Sequence, residues 1–186
     1  MNMSLKRIVI SGSPGGGKTS IVRELALRGY PIFEEYSRIL IQQGQAKGKL
    51  NAFLADPLLF SDGLFEGRKA QYYHTVEPIP VTTTPVAFYD RGIHDIYAYL
   101  KAIGRHTPDW KTKVALFQYD LVFLVEPWEE IYQQDEQRLE TFEQAQGYFP
   151  YIESAYKSNH KVVVVPKDSI ASRVSFIESY IQTFFV

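Results

Sequence analysis

The run ISGSPGGGKTSI, Ile10 to Ile21, narrows the folds open to this chain more than any other part of it. Glycine loses the most backbone freedom on ordering, so four of them beside a lone lysine point to a bare backbone with something to hold. Gly12 to Thr19 fits G-x-x-x-x-G-K-[ST], the P-loop, whose consecutive backbone N–H groups turn inward around phosphate oxygens. The cradle comprises Gly12, Ser13, Pro14, Gly15, Gly16, Gly17, Lys18 and Thr19, with Ser20 beside it. The spacing sets Lys18 against the β- and γ-phosphates of a nucleoside triphosphate and gives the Thr19 hydroxyl to Mg²⁺. A helix starting near Lys18 would aim its positive end at the same anion. An apolar run precedes the motif, and Ile21, Val22, Leu25 and Ala26 follow it as a helical face, which is the strand–loop–helix context the motif demands.

Four further readings of periodicity extend that context into a fold. RIVIS at 7–11, VAFYD at 86–90, LVFLV at 121–125 and KVVVVP at 161–166 are continuously apolar, as strands covered on both faces are, and YPIF at 30–33 is a weaker fifth. Ile93, Ile96, Tyr97, Leu100 and Ile103 follow helical spacing, as do Ile170, Val174, Ile177 and Ile181 after an expected Asp168 cap. Asp56 and Pro57 open another helix, which Gly63 and Gly67 weaken. Alternating strands and helices predict an α/β protein of three layers: a doubly wound, five-stranded parallel sheet with helices on both faces. QQGQAKGKL at 42–50 and EPIPVTTTP at 77–85 break the rhythm as connections.

Length and charge then limit what the loop serves. The 186 residues suit a single α/β domain over 1–186. A formal net charge of -1 without a basic run disfavours nucleic acid as a partner, because neutralising many phosphates along a duplex needs a basic surface. The absence of cysteine rules out disulfides, thiolate metal sites and thiol nucleophiles, and fits a reducing compartment. No stretch approaches a membrane span, and MNMSLKRIVISG lacks a signal-peptide core, so the expectation is cytoplasmic.

The next signal is VAFYDRG. A carboxylate ending a buried strand beside the P-loop strand can hold a magnesium water shell or orient a substrate hydroxyl, which singles out Asp90, with Arg91 facing phosphates. The same pair also reads as a helix cap and a surface arginine. A Ras-like switch is disfavoured, since Asn-Lys-x-Asp is absent and no Asp-x-x-Gly follows a strand.

ISGSPGGGKT, GYPIFEEYSR, FYDRGIHDIYAYL and PWEEIYQQDEQRLETFEQA, in this order, resemble the AAA-type ATPases grouped with the nucleoside-kinase-like domain of NadR. The resemblance implies a P-loop kinase-like fold that binds ATP and Mg²⁺, with relatives among nucleoside or nucleotide kinases. It marks Glu35, Arg38, Asp90, Arg91, Asp95, Asp135 and Arg138, while Glu34 stands where the pattern has a proline.

The residues themselves support parts of that assignment. Glu35 follows the second strand, on the carboxyl-end rim where open α/β sheets bind ligands, and a carboxylate there accepts a substrate hydroxyl proton. It is also a fitting helix-start acid, and Arg38, one turn on, a partner for it. Asp95, Arg38 and Arg68 join Glu35 as candidate acceptor contacts, with His94 beside them. Residues 126–146 form the expected lid, from which Arg138 would bring positive charge to the transferring γ-phosphoryl. A solvated helix of alternating charge explains that stretch as well. VPKDS at 165–169 lies where adenine rests in such folds, and serves equally as a strand-to-helix loop. Two functions follow: ATP-dependent phosphoryl transfer to a small nucleoside- or nucleotide-like acceptor, or a nucleotide-dependent switch or ATPase module acting on a partner. Oligomeric state stays open.

Overall fold

In the computed structural model, described over residues 4–46, 56–74, 85–132 and 141–185, β1 (Lys6–Ser11) is the central strand of the sheet. β2 (Ile32–Phe33), β3 (Val86–Asp90), β4 (Leu121–Leu124) and β5 (Val162–Val164) complete five parallel strands in the order β2-β3-β1-β4-β5. Pairing of Ile10 with Asp90 and of Ser11 with Leu124 brings the ends of three strands level, so β1, β3 and β4 deliver their following loops to one rim.

Seven helices are present among the described residues: α1 (Lys18–Leu27), α2 (Tyr36–Ala46), α3 (Pro57–Tyr73), α4 (His94–Ala102), α5 (Pro108–Ala115), α6 (Phe142–Lys157) and α7 (Ile170–Phe184). Successive side chains of a strand point to opposite faces, and β1 shows the consequence. Ile8 and Ile10 pack with Ile21, Val22 and Leu25 of α1 and Val174, Ile177 and Ile181 of α7. Val9, between them, packs on the other side with Ala98 of α4 and Ile152 and Tyr156 of α6. Both faces are covered over β1, β3 and β4, which is why these strands are apolar without alternation. By contrast β5, expected to be buried in the same way, is an edge strand with Val162 and Val163 half-buried and Val164 exposed. A third cluster joins α3, α4 and α5 through Phe65, Leu100 and Trp110, beside the second face.

Local details differ from expectation: α2 continues to Ala46, into the 42–50 stretch read as a connection, of which 47–50 lie outside the described residues. The helix after β5 is capped by Ser169, not Asp168: the Ser169 hydroxyl accepts from the Ser172 amide, and Asp168 accepts from the Ser169 amide one residue earlier. The glycines of α3 are packing positions. A Cβ on Gly67 would fall on the Tyr36 ring, and one on Gly63 would stand 3.3 Å from Leu40, so α2 rests directly on the α3 backbone. Asp56 caps α3 as expected, accepting from the Leu59 amide at 3.0 Å.

Candidate functional site

The loop leaving β1 folds around its own lysine. Gly12, at φ 138, passes so close to β4's end that a Cβ would overlap the Val125 carbonyl. Gly17 takes φ 83 immediately before α1, a left-handed turn that glycine adopts without the cost an L side chain meets. Lys18 therefore starts α1 from inside the loop, 7% exposed, and its ammonium donates to the Ser13 carbonyl at 2.7 Å. Burial and the nearby Arg91 charge depress its pKa; Asp90, Glu35 and Asp95 only partly restore it. A buried ammonium weakened in this way is stabilised by any anion that reaches it. The buried Ser13 hydroxyl has no hydrogen-bond partner, Gly15 lies under the Tyr132 ring, Gly16 is buried and Pro14 half-buried. Thr19 is half-buried and accepts from Arg38 Nη2 at 3.4 Å, whereas Ser20 is exposed.

Facing the loop, β3 ends in Asp90, 5% exposed, with Oδ1 unpartnered. Burial and the neighbouring Glu35 charge push its pKa up, while Lys18, Arg91 and Arg38 pull the other way. A buried carboxylate oxygen lacking a donor fits the hydration shell of a cation such as Mg²⁺, and Thr19 supplies a hydroxyl on the adjacent first turn of α1. Arg91 follows in the left-handed region at φ 70, the one non-glycine residue there among those described. Its amide donates to the Ile10 carbonyl at 3.0 Å, and its guanidinium to Glu35 Oε1 at 2.8 Å, to the Gly12 carbonyl and Asp95 Oδ1 at 3.1 Å each. Such a backbone costs about 1–3 kcal/mol and persists where surrounding bonds over-determine it. Arg91 thus ties the phosphate loop to the β2–α2 connection, where Glu35 sits 17% exposed.

Burial pulls the Glu35 carboxyl upward, but Arg91, Lys18, a hydrogen bond from Ser37 and the Arg68 charge outweigh it and hold the group ionised far below the usual carboxylate range. Arg38 Nε lies 3.5 Å from Glu35 Oε2 and is nearly half exposed, at the mouth of the cleft. The structure therefore brings together Lys18, Thr19, Glu35, Arg38, Asp90 and Arg91.

Asp95 and Arg68 lie beneath them. Asp95 Oδ1 accepts from the Ser11 hydroxyl at 2.6 Å and from Arg91, while Oδ2 accepts from the Tyr156 hydroxyl at 2.5 Å and the Gly92 amide at 3.0 Å. Tyr156 also accepts from the Gly92 amide, and Tyr119 from the Ile93 amide, which satisfies donors that the start of α4 leaves open. Arg68, 4% exposed, donates to the Gly92 carbonyl at 2.9 Å. These groups hold the Arg91–Gly92 turn from below. His94, 3% exposed, packs edge-on against His160 at 4.5 Å, and neither of its ring nitrogens has a partner. Arg138 and Asp135 lie outside the described residues. Of the expected lid, 126–132 and 141–146 are described: a short 3-10 turn at Glu129–Ile131 against the loop, then the start of α6 behind a Thr141–Gln144 capping box. The β5–α7 loop, which holds VPKDS, meets that segment through Lys167 and Glu126, 3.6 Å apart.

Sequence reasoning missed two parts of this arrangement. Tyr156 and Tyr119 reach the Arg91–Gly92 turn from distant elements, and nothing in a tyrosine's local sequence announces that. Arg173 did leave a signal, as a charge inside the apolar stripe of α7; it is 2% exposed and donates to the Gly16 carbonyl at 2.8 Å.

A family model described as an AAA domain matches residues 7–173, and the chain belongs to that family. Among solved structures, deoxyadenosine kinase from M. mycoides with products dCMP and a flexible dCDP bound is similar, with TM-score 0.68 at 17% identity, over 95% of this chain and 98% of that one. The same enzyme with bound dATP matches with TM-score 0.62 at 17% identity, over 95% and 99%. NadR protein in complex with NR matches with TM-score 0.70 at 18% identity, over 96% of this chain and 51% of that one. No curated protein sequence matches significantly. These likenesses identify the fold as P-loop kinase-like.

Proposed function

We propose that this AAA-domain protein transfers the γ-phosphoryl group of ATP to a hydroxyl of a small nucleoside- or nucleotide-like acceptor. The observation that carries the reading is the pairing of a phosphate loop with an ionised carboxylate in one cleft: Arg91 binds both the Gly12 carbonyl and Glu35. The loop amides and Lys18 bind the triphosphate. Thr19 and Asp90 are the residues that would hold Mg²⁺, which when bound offsets phosphate charge. Glu35, kept ionised by Arg91 and Lys18, orients the acceptor hydroxyl and takes its proton as the new P–O bond forms and the bond to ADP breaks. A weak base suffices, because a loose phosphoryl-transfer transition state asks little prior deprotonation of the nucleophile. Arg38, at the cleft mouth, is placed to meet acceptor or phosphate oxygens. The likeness in fold to a deoxyadenosine kinase supports the acceptor class.

The test supplies γ-labelled ATP and Mg²⁺ with a panel of nucleosides, nucleotides and related metabolites. Label should move to one acceptor class, and Glu35→Gln should lower kcat at least about 100-fold with ATP affinity within about threefold. Label released only as inorganic phosphate across the whole panel would favour an ATPase or switch and overturn the proposal.

A further inference from the structure

Three arginines lie close to the phosphate loop, Arg68 and Arg173 buried and Arg91 half-buried, and one of them lacks a counter-charge among the described residues. Arg91 has Glu35, Asp95 and Asp90 around it, and Arg68 acts on both Glu35 and Asp95. Arg173 makes no ion pair with any described residue. It sits in the first turn of α7, within the stripe formed by Val174, Ile177 and Ile181, where the face is otherwise apolar. Its guanidinium makes one hydrogen bond, from Nη2 to the Gly16 carbonyl at 2.8 Å, while Nε is buried without a partner. Nη1 stands 2.9 Å from the point a Gly17 Cβ would occupy, so the missing side chain is what lets the cation touch the loop. Removing a guanidinium from water without an anion is costly, and an anion arriving from outside would offset that cost. The bond to Gly16 indicates the route. In a trans peptide the C=O and N–H point in opposite directions, so a cation on the Gly16 oxygen polarises the Gly17 N–H on the other side of the loop, where phosphate binds.

We propose that Arg173 is a positioning residue for the nucleotide's phosphate chain: it braces the Gly16–Gly17 peptide from behind, the bound phosphates supply its counter-charge, and triphosphate binding thereby clamps α7 onto the loop. This rests on the reading of Gly12–Thr19 as a triphosphate site. Linkage gives it a second face, since whatever α7 contributes to phosphate affinity, phosphate must return to the docking of α7.

The probes are Mg²⁺–ATP, inorganic tripolyphosphate and adenosine, titrated into the full chain and its Arg173→Met and Arg173→Lys variants. Arg173→Met should weaken ATP and tripolyphosphate alike by about tenfold or more, and Arg173→Lys should recover part of the loss, while adenosine binding is unmoved. In the wild-type chain, tripolyphosphate should slow amide hydrogen exchange over residues 170–177; this readout stands even if Arg173→Met does not fold. Tripolyphosphate affinity unchanged in Arg173→Met, a loss confined to ATP and adenosine, or unchanged exchange in α7 would each overturn the proposal while leaving the phosphate site intact. A wild-type chain that binds neither ATP nor tripolyphosphate would overturn both.

Discussion

Arg91 holds its left-handed backbone because four elements grip it: the Ile10 carbonyl of β1, Gly12 of the loop, Glu35 before α2 and Asp95 of α4. Its neighbour His94 is held differently, among aromatic rings and with both nitrogens unpartnered. Burial, followed by the His160 ring, drives its pKa from 6.5 to about 3. Between those two values the unfolded chain binds a proton that the folded chain does not, so stability contributed by neutral His94 is complete above about pH 6.5 and declines as pH falls, by up to ~1.4 kcal/mol per pH unit. His160, lowered by burial as well, acts in the same direction. His94→Phe should therefore lose less stability than wild type between pH 7.5 and about pH 5, as read from urea midpoints at both values. Parallel losses in the two proteins would show that His94 titrates normally in the fold.

At the scale of elements, α2 is the one whose placement decides where Glu35 sits, and it rests on a glycine. A methyl group on Gly67 would meet the Tyr36 ring, and Tyr36 follows Glu35 directly. Gly67→Ala should cost about 1–3 kcal/mol by overpacking, although alanine favours a helix, and should lower phosphotransfer through kcat while ATP affinity changes little. A variant as stable and as active as wild type would show that α2 is placed by something else. Sequence reading anticipated α3 and its Asp56 cap but took Gly63 and Gly67 as weaknesses, because their packing partners lie more than twenty residues away in α2. The strands were legible from their apolar runs, and the phosphate loop from its spacing, since both are local patterns. The Arg91–Asp95–Tyr156 network joins residues up to 65 positions apart, and only the strand order 2-3-1-4-5 brings them together. Ser169 replaced Asp168 as the α7 cap by a shift of one residue, a distinction between two good capping side chains that composition does not make.

Over the whole molecule, Lys18, Thr19, Glu35, Arg38, Asp90 and Arg91 lie at or after the carboxyl ends of β1, β2 and β3, with Arg68, Tyr119 and Tyr156 beneath the Arg91–Gly92 turn and α7 reaching in behind the loop. That is the crevice where open parallel sheets bind ligands, and here the crevice holds Lys18 with its ammonium turned back onto Ser13. If this ammonium and the amides around it grip a triphosphate, nucleotide binding depends on Lys18. Calorimetric titration of Mg²⁺–ATP into wild type and Lys18→Ala tests it most directly. Saturable binding to wild type is expected, with a loss of about 10- to 100-fold in Lys18→Ala at unchanged thermal stability. Equal affinity in the two proteins, or no binding to wild type at millimolar nucleotide, would contradict it.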